Sequence, residues 1–528
     1  MDELTCEIKE HIQPFERHLA LQELQALTGA SAIPVDGDSI TASTFSVAKT
    51  VDADYLRRSL TYWRSVADGL TVQLRNEATS LVALNGASVK ELTQRAHALV
   101  PSKLPKRRCL RYATHGLHEY RGKFFPQLVR ALINVARLPE NAIVLDPMCG
   151  SGTTLVEARL AAKRCYGLDM NPLSVFVSGV KCEALTLGAS ELAEAYDTLL
   201  ETIEGQSGAQ HERPTRFSAN DRSYLARWFD QTVLAELNCV ESAIRHIPAR
   251  QLRDFYYVCL SNILRAVSWQ KNDDLRVRRE ISPSPPGTAT ARFLVEALRS
   301  TKTVAAFLAE RGSITAHGHF VREADARTAT KALPQLLGKV DAVITSPPYA
   351  TALPYIDTDR LNLIYLGLLP RKEHRDLDMM MIGNREITTR RLAELWSYYQ
   401  AKKALLPRQT QLLIERIDQL NKAKPTGFRR RNLSALLSKY FFDMRKTLQQ
   451  TLAFLRPGAP MFLVIGNNRT VAGGEPVEIC TADHLGAIAE SIGFRPVDKL
   501  PMEMLASRDI FRKNAMRSEC IVSLVKRQ

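Results

Sequence analysis

The stretch 141–154, NAIVLDPMCGSGTT, constrains this chain more than any other. Ala142 to Asp146 is a short apolar run rich in branched residues. It ends on a carboxylate and breaks at once into Pro147, Gly150 and Gly152. Such a run, bounded by turn residues, reads as a buried strand, and Thr154 to Ala162 reads as the helix that follows. Glycines between strand and helix let the backbone approach a ligand where a Cβ would intrude. The expected feature is a ligand loop at the carboxyl end of a parallel strand. The phosphate-cradling GxxxxGK[ST] pattern and a strict GxGxxG are both absent here.

Two further strand ends narrow the reading. Arg164 to Asp169 (RCYGLD) reads as a second strand that closes on an acid, and a carboxylate at that tip accepts hydrogen bonds from vicinal ribose hydroxyls. Val340 to Thr345 reads as another strand and runs into Ser346, Pro347, Pro348 and Tyr349. With DPxxGSGTT and SPPY both at predicted strand ends, the chain resembles the S-adenosylmethionine-dependent DNA amino-methyltransferases, which methylate exocyclic amines of cytosine or adenine.

The resemblance covers residues 112–182 and 313–528. It implies an α/β fold, a seven-stranded Rossmann-like class I methyltransferase sheet, with S-adenosylmethionine as cofactor. It implies cofactor contacts from Lys123, Phe125 and Pro126, in a segment that packs on the methionine end of the donor, and from Asp146, Pro147, Met148, Cys149, Gly150, Gly152 and Thr153. Asp146 is expected near the donor's ammonium group, Asp169 at its ribose and Asp325 near its adenine amine. Met148 departs from the family, which usually has an aromatic residue there; a thioether fills similar apolar volume.

The second motif suits a particular chemistry. An exocyclic amine conjugated with its ring is a poor nucleophile, so its lone pair must be turned toward an electrophilic methyl. A side-chain acceptor at Ser346 and the carbonyl of Pro347 each take one N–H, the two prolines fix those acceptors in advance, and Tyr349 offers a stacking face. A base held this way has left the duplex. In the family Ser at the first position goes with cytosine and Asp with adenine, so N4 of cytosine is favoured over N6 of adenine. The rival readings are an RNA base-amine methyltransferase and a recognition subunit without turnover.

Composition supports a polyanionic partner, double-stranded DNA, with cognate restriction or defence proteins implied by the resemblance alone. The formal net charge is +15 over 528 residues, and between Arg371 and Lys446 there are 18 Lys and Arg against 8 Asp and Glu. Nine scattered cysteines with no CxxC pair point to a reducing compartment. No apolar run reaches the roughly 18 residues that a membrane span needs, and no signal segment opens the chain, so a cytoplasmic location is expected. His115 and His118 lack a third ligand at suitable spacing, so no metal is expected.

The expected organisation is a helical accessory domain over 1–100, a cofactor-binding half over 101–182, a helical insert over 183–312 and a catalytic half over 313–528. Target recognition is placed in the basic region 370–446. The alternative place is the insert, whose SWQKNDDLRVRRE (268–280) sets an aromatic beside basic groups.

Overall fold

All four residues of the run Ile143–Asp146 are buried, which is why the sequence there is apolar without alternation. A strand inside a parallel sheet is covered on both faces. The structure, a computed structural model, describes residues 3–84, 88–94, 109–120, 122, 124–205, 217–271, 278–315, 318–350, 355–384, 387–424, 427–503 and 518–528.

The first seventy residues correct one expectation. Helix Pro14–Thr28 is present, but around it β1 (Glu3–Ile8), β2 (Ile33–Pro34), β3 (Thr44–Ala48), β4 (Trp63–Val66) and β5 (Gly69–Leu70) form an antiparallel sheet in the order β2-β3-β1-β4-β5. Helical periodicity runs over Tyr55 to Val72 in the sequence, but the helix is only Ala53–Ser59, and the chain then turns into β4 and β5. TFSVA and WRSV are too short for a two-residue period to stand out beside the helical pattern of their neighbours. Phe45 and Trp63 meet edge to face at 5.6 Å and hold this sheet's core.

The main sheet is built from β6 (Ile143–Asp146), β7 (Arg164–Asp169), β8 (His319–Glu323), β9 (Ala342–Thr345), β10 (Pro460–Gly466), β13 (Phe494–Glu503) and β14 (Ser518–Lys526), with β11 (Asn468–Ala472) and β12 (Glu475–Ile479) as a separate hairpin. Its order is β13-β14-β10-β9-β6-β7-β8. The strands β10, β9, β6, β7 and β8 run parallel to their neighbours, and β14 lies antiparallel between β10 and β13. This is the expected class I methyltransferase sheet. Alternate residues feed two cores: Val144, Ile344, Val464 and Ile521 face one, and Leu145, Val343, Leu463 and Val522 face the other.

Between β7 and β8 lie helices Ala189–Gly205, Ala219–Leu225, Gln231–Arg245, Arg250–Leu264 and Thr288–Arg311. The single helix expected over Ser223 to Ile247 is broken because Asp230 accepts a hydrogen bond from the backbone N–H of Thr232 and starts a new one. Thr288–Arg311 packs against three of the other insert helices and against Val72–Leu84, which joins the insert to the N-terminal part. In the basic region, helices Thr389–Lys402 and Arg408–Ala423 pack on Leu433–Phe454. Among the described residues, no helix is long and apolar enough to cross a membrane.

Candidate methyl-transfer site

The sheet order reverses between β6 and β9, where helices connected to neighbouring strands diverge to opposite faces and leave a crevice. Leu145 pairs with Val343, so the loops after Asp146 and after Thr345 leave the sheet side by side. In the first loop, Gly150 has φ +49° and Gly152 has φ +81°. A Cβ on Gly152 would lie 2.6 Å from Cβ of Ser178 and 3.0 Å from its Cα. Glycine there lets helix Thr153–Leu160 cross helix Pro172–Ala184. A Cβ on Gly150 would lie 3.1 Å from the ring of Tyr120.

Two carboxylates organise the turn. Asp169 Oδ2 accepts from the Gly150 N–H at 2.9 Å and Oδ1 from the Asn171 N–H at 2.8 Å, so it ties the glycine loop to the end of β7. Asp146 Oδ1 accepts from the Met148 N–H at 3.1 Å. Burial pushes both acids up from the usual value of 3.8 to about 6, partly countered by hydrogen bonds to each carboxylate. Asn171 caps the next helix and donates to Asp359 Oδ2 at 2.8 Å, linking this turn to the helix Tyr355–Tyr365 beyond the second loop.

A crevice opens above these strand ends. Its floor is Asp146, Pro147, Met148, Cys149, Gly150, Ser151 and Thr153 from the first loop and Asp169 and Met170 from β7, while Ser346 and Pro348 enter from the second loop. Tyr120, Gly122 and Phe124 form one wall, and Ala324, Ala326, Met381 and Ile382 form another. Two desolvated carboxylates on this floor have the chemistry that the ammonium and ribose hydroxyls of S-adenosylmethionine call for.

Several expected contacts lie elsewhere. Gly152 is absent from the lining because it packs on Ser178. From the Lys-Phe-x-Pro segment it is Phe124 that faces the cavity; Phe125 caps helix Pro126–Val135, and Pro126 is buried in its first turn. Lys123 lies outside the described residues. Asp325 is turned away: it caps the turn Ala326–Thr328 and its carboxylate pairs with Arg327 at 2.7 Å. Pro347 and Tyr349, expected at the target base and not at the donor, are outside this lining: Pro347 is buried, and Tyr349 directs its hydroxyl to Glu519 Oε1 at 2.7 Å.

The contacts that sequence reasoning missed come from distant segments. Tyr120 stands just before the segment 123–126 and is held by a 3.2 Å hydrogen bond from Ser174. Met381 and Ile382 sit inside the basic region, where Arg327 donates to the Met380 carbonyl at 2.8 Å and Lys439 to the Met381 carbonyl at 3.2 Å. His115 meets the buried Glu157 at 2.8 Å and His118 meets Ser261 at 3.0 Å, so both anchor the turn-rich segment that leads to Tyr120.

Residues 117–211 match the model of the RMKL-like methyltransferase domain family. The Type II methyltransferase M.MvaI of Kocuria varians is 24% identical over 385 residues, covering 70% of this chain and 80% of that protein. The Type II methyltransferase M.BsoBI of Geobacillus stearothermophilus is 23% identical over 420 residues, 72% of this chain and 79% of its own. A tRNA (guanine(10)-N2)-dimethyltransferase of Methanocaldococcus jannaschii is 46% identical over 50 residues, 10% of this chain and 14% of that one.

Proposed function

We propose that this chain, a methyltransferase whose methyl donor is S-adenosylmethionine, acts on double-stranded DNA at the N4 amine of a cytosine rotated out of the duplex. The observation that carries this reading is the meeting of two loops: Asp146 and Gly150 line one cavity with Ser346 and Pro348, on adjacent parallel strands. The similarity to Type II methyltransferases supports DNA as the substrate and a restriction-modification setting in the cytoplasm. The local surplus of Lys and Arg between Arg371 and Lys446 supports phosphate contact there.

S-adenosylmethionine supplies an electrophilic methyl group on a sulfonium sulfur. Asp146 pairs with the donor's ammonium group, Asp169 accepts from its ribose hydroxyls, and Phe124 and Met148 pack against its apolar parts. Ser346 Oγ and the carbonyl of Pro347 each accept one N–H of the target amine, which turns the nitrogen lone pair toward the methyl group. Tyr349 presents its ring to the base. The amine would attack the methyl group directly, its N–C bond forming as the S–C bond breaks, so that the donor leaves as a neutral thioether and the displaced proton passes to solvent, with no covalent enzyme intermediate.

Single-molecule sequencing of DNA from cells expressing the protein tests this reading. N4-methylcytosine in one sequence context is the expected result. Modified adenine in its place overturns the base assignment, and methylated RNA with unmodified DNA overturns the choice of polymer.

Proton linkage gives a further expectation. Both aspartates bind the donor as carboxylates, yet in the protein alone burial raises them to about 6. Affinity for S-adenosylmethionine should therefore fall as pH drops through 6, by about tenfold per pH unit for each carboxylate required. The sign for stability is opposite. An acid raised in the fold costs stability while ionised, and that cost is relieved as pH falls from about 6 toward 3.8. Calorimetric titration at pH 5, 6 and 7 checks the first, and melting of the ligand-free protein checks the second. Affinity that is flat across this range would remove the two carboxylates from the donor contacts.

A further inference from the structure

The second loop is held at its far end by a group on β14 of the main sheet and a group on β11 of the separate hairpin. The hydroxyl of Tyr349 donates a 2.7 Å hydrogen bond to Glu519 Oε1, and the side-chain amide of Asn468 donates to the carbonyl of Ala350. Glu519 is the second residue of β14, opposite Gly466 of β10 and Met502 of β13. Its carboxyl is largely buried, which pushes it above the usual glutamate range, and the bond from Tyr349 draws it back. The acceptor that meets the phenol thus sits on a strand paired on both sides.

A tyrosine ring turns about its second side-chain torsion in a broad well. Tyr349 is restrained near its base, where it packs against the core beneath the sheet. A hydrogen bond at the para position fixes the direction of the ring's long axis, and because a phenol O–H prefers the plane of its own ring, a fixed acceptor there also favours one ring plane. A ring that must receive a base face to face gains from both, because any freedom left to it is lost when the base arrives. A carboxylate is the strongest neutral-pH acceptor available for that anchor.

We propose that Glu519 is a positioning residue of the methyl-transfer site: it holds the plane of the Tyr349 ring on which the extruded base stacks. This rests on the reading of Tyr349 given above. It assigns a functional role to a strand residue 170 positions from the motif it serves.

The test uses the full-length protein with tritiated S-adenosylmethionine and PCR-amplified, hence unmodified, bacterial genomic DNA. The variants are Tyr349→Phe, Glu519→Ala, Glu519→Gln and the double variant Tyr349→Phe/Glu519→Ala. Glu519→Ala and Tyr349→Phe are each expected to lower kcat/KM for DNA by about tenfold, and the double variant should be no worse than either. Glu519→Gln, whose amide oxygen still accepts from the phenol, should recover most of the loss. Affinity for S-adenosylmethionine should not move with the DNA parameter. Unchanged kcat/KM in Glu519→Ala, losses that multiply in the double variant, or a parallel loss of donor affinity would each overturn the inference while leaving DNA methylation by the unaltered enzyme intact. Failure of the unaltered enzyme to methylate DNA overturns the parent reading and the inference with it.

Discussion

Replacing Ser346 with alanine is expected to cut methyl incorporation into DNA by about a hundredfold or more, with donor affinity changed by no more than about twofold. The size follows from what the hydroxyl does. A fixed acceptor that draws one N–H out of conjugation acts where charge develops on the nitrogen, and loss of one such group costs about two to three powers of ten. The backbone that carries it is not at risk. Thr345 is fully buried and pairs with Leu463 of β10, and Pro347 behind it is buried too, so deletion of one oxygen leaves the loop in place. Ser346 lines the same cavity as the carboxylates that would hold the donor, but its hydroxyl is assigned to the target amine. Methyl incorporation at the original level would move the chemistry away from this loop. A matching loss of donor affinity would mean that Ser346 serves the cofactor instead.

The residues legible in sequence were those whose role is set by neighbours within a few positions. The glycines of the first loop, the acids at the ends of β6 and β7 and the SPPY turn each follow a strand whose apolar run marks where it ends. The central parallel strands of the main sheet were legible for the same reason, because runs such as VLD and AVIT are buried on both faces. Tyr120, Met381 and Ile382 were not, since their roles are set by packing between segments far apart in the chain. Met381 and Ile382 reach the cavity because Arg327, which pairs with both Asp325 and Asp443, also grips the carbonyl just before them. The same network explains Asp325: position after a strand placed it near the cofactor, but a neighbouring guanidinium two residues on captured its carboxylate. The N-terminal sheet escaped because its strands are short and its register is set by pairing of β1 with β3 and β4, not by any local run.

Removal of the Asp169 carboxylate is expected to weaken donor binding by about a hundredfold, and asparagine should be nearly as damaging as alanine. Both oxygens of this side chain already accept from backbone N–H groups, Oδ2 from Gly150 and Oδ1 from Asn171. Each oxygen has a second lone pair, and these are what two ribose hydroxyls would share. Only an acceptor-only group can serve four donors at once. Asparagine keeps one oxygen but turns an NH₂ toward the other backbone N–H, donor against donor, so the glycine loop loses one tie and the ribose loses one acceptor. Alanine loses two ribose hydrogen bonds to a charged acceptor, at about 1.5–3 kcal/mol each, which gives the hundredfold or more; asparagine loses one and also loosens the loop that frames the site. Stability should respond much less than affinity. Ionisation of Asp169 is disfavoured by burial, so its deletion relieves a desolvation cost while it removes two hydrogen bonds. Isothermal titration with S-adenosylmethionine and a thermal melt of the ligand-free variants separate the two effects. Wild-type affinity in Asp169→Asn would show that the carboxylate only braces the loop, and the ribose contact would have to be sought among the other groups lining the cavity.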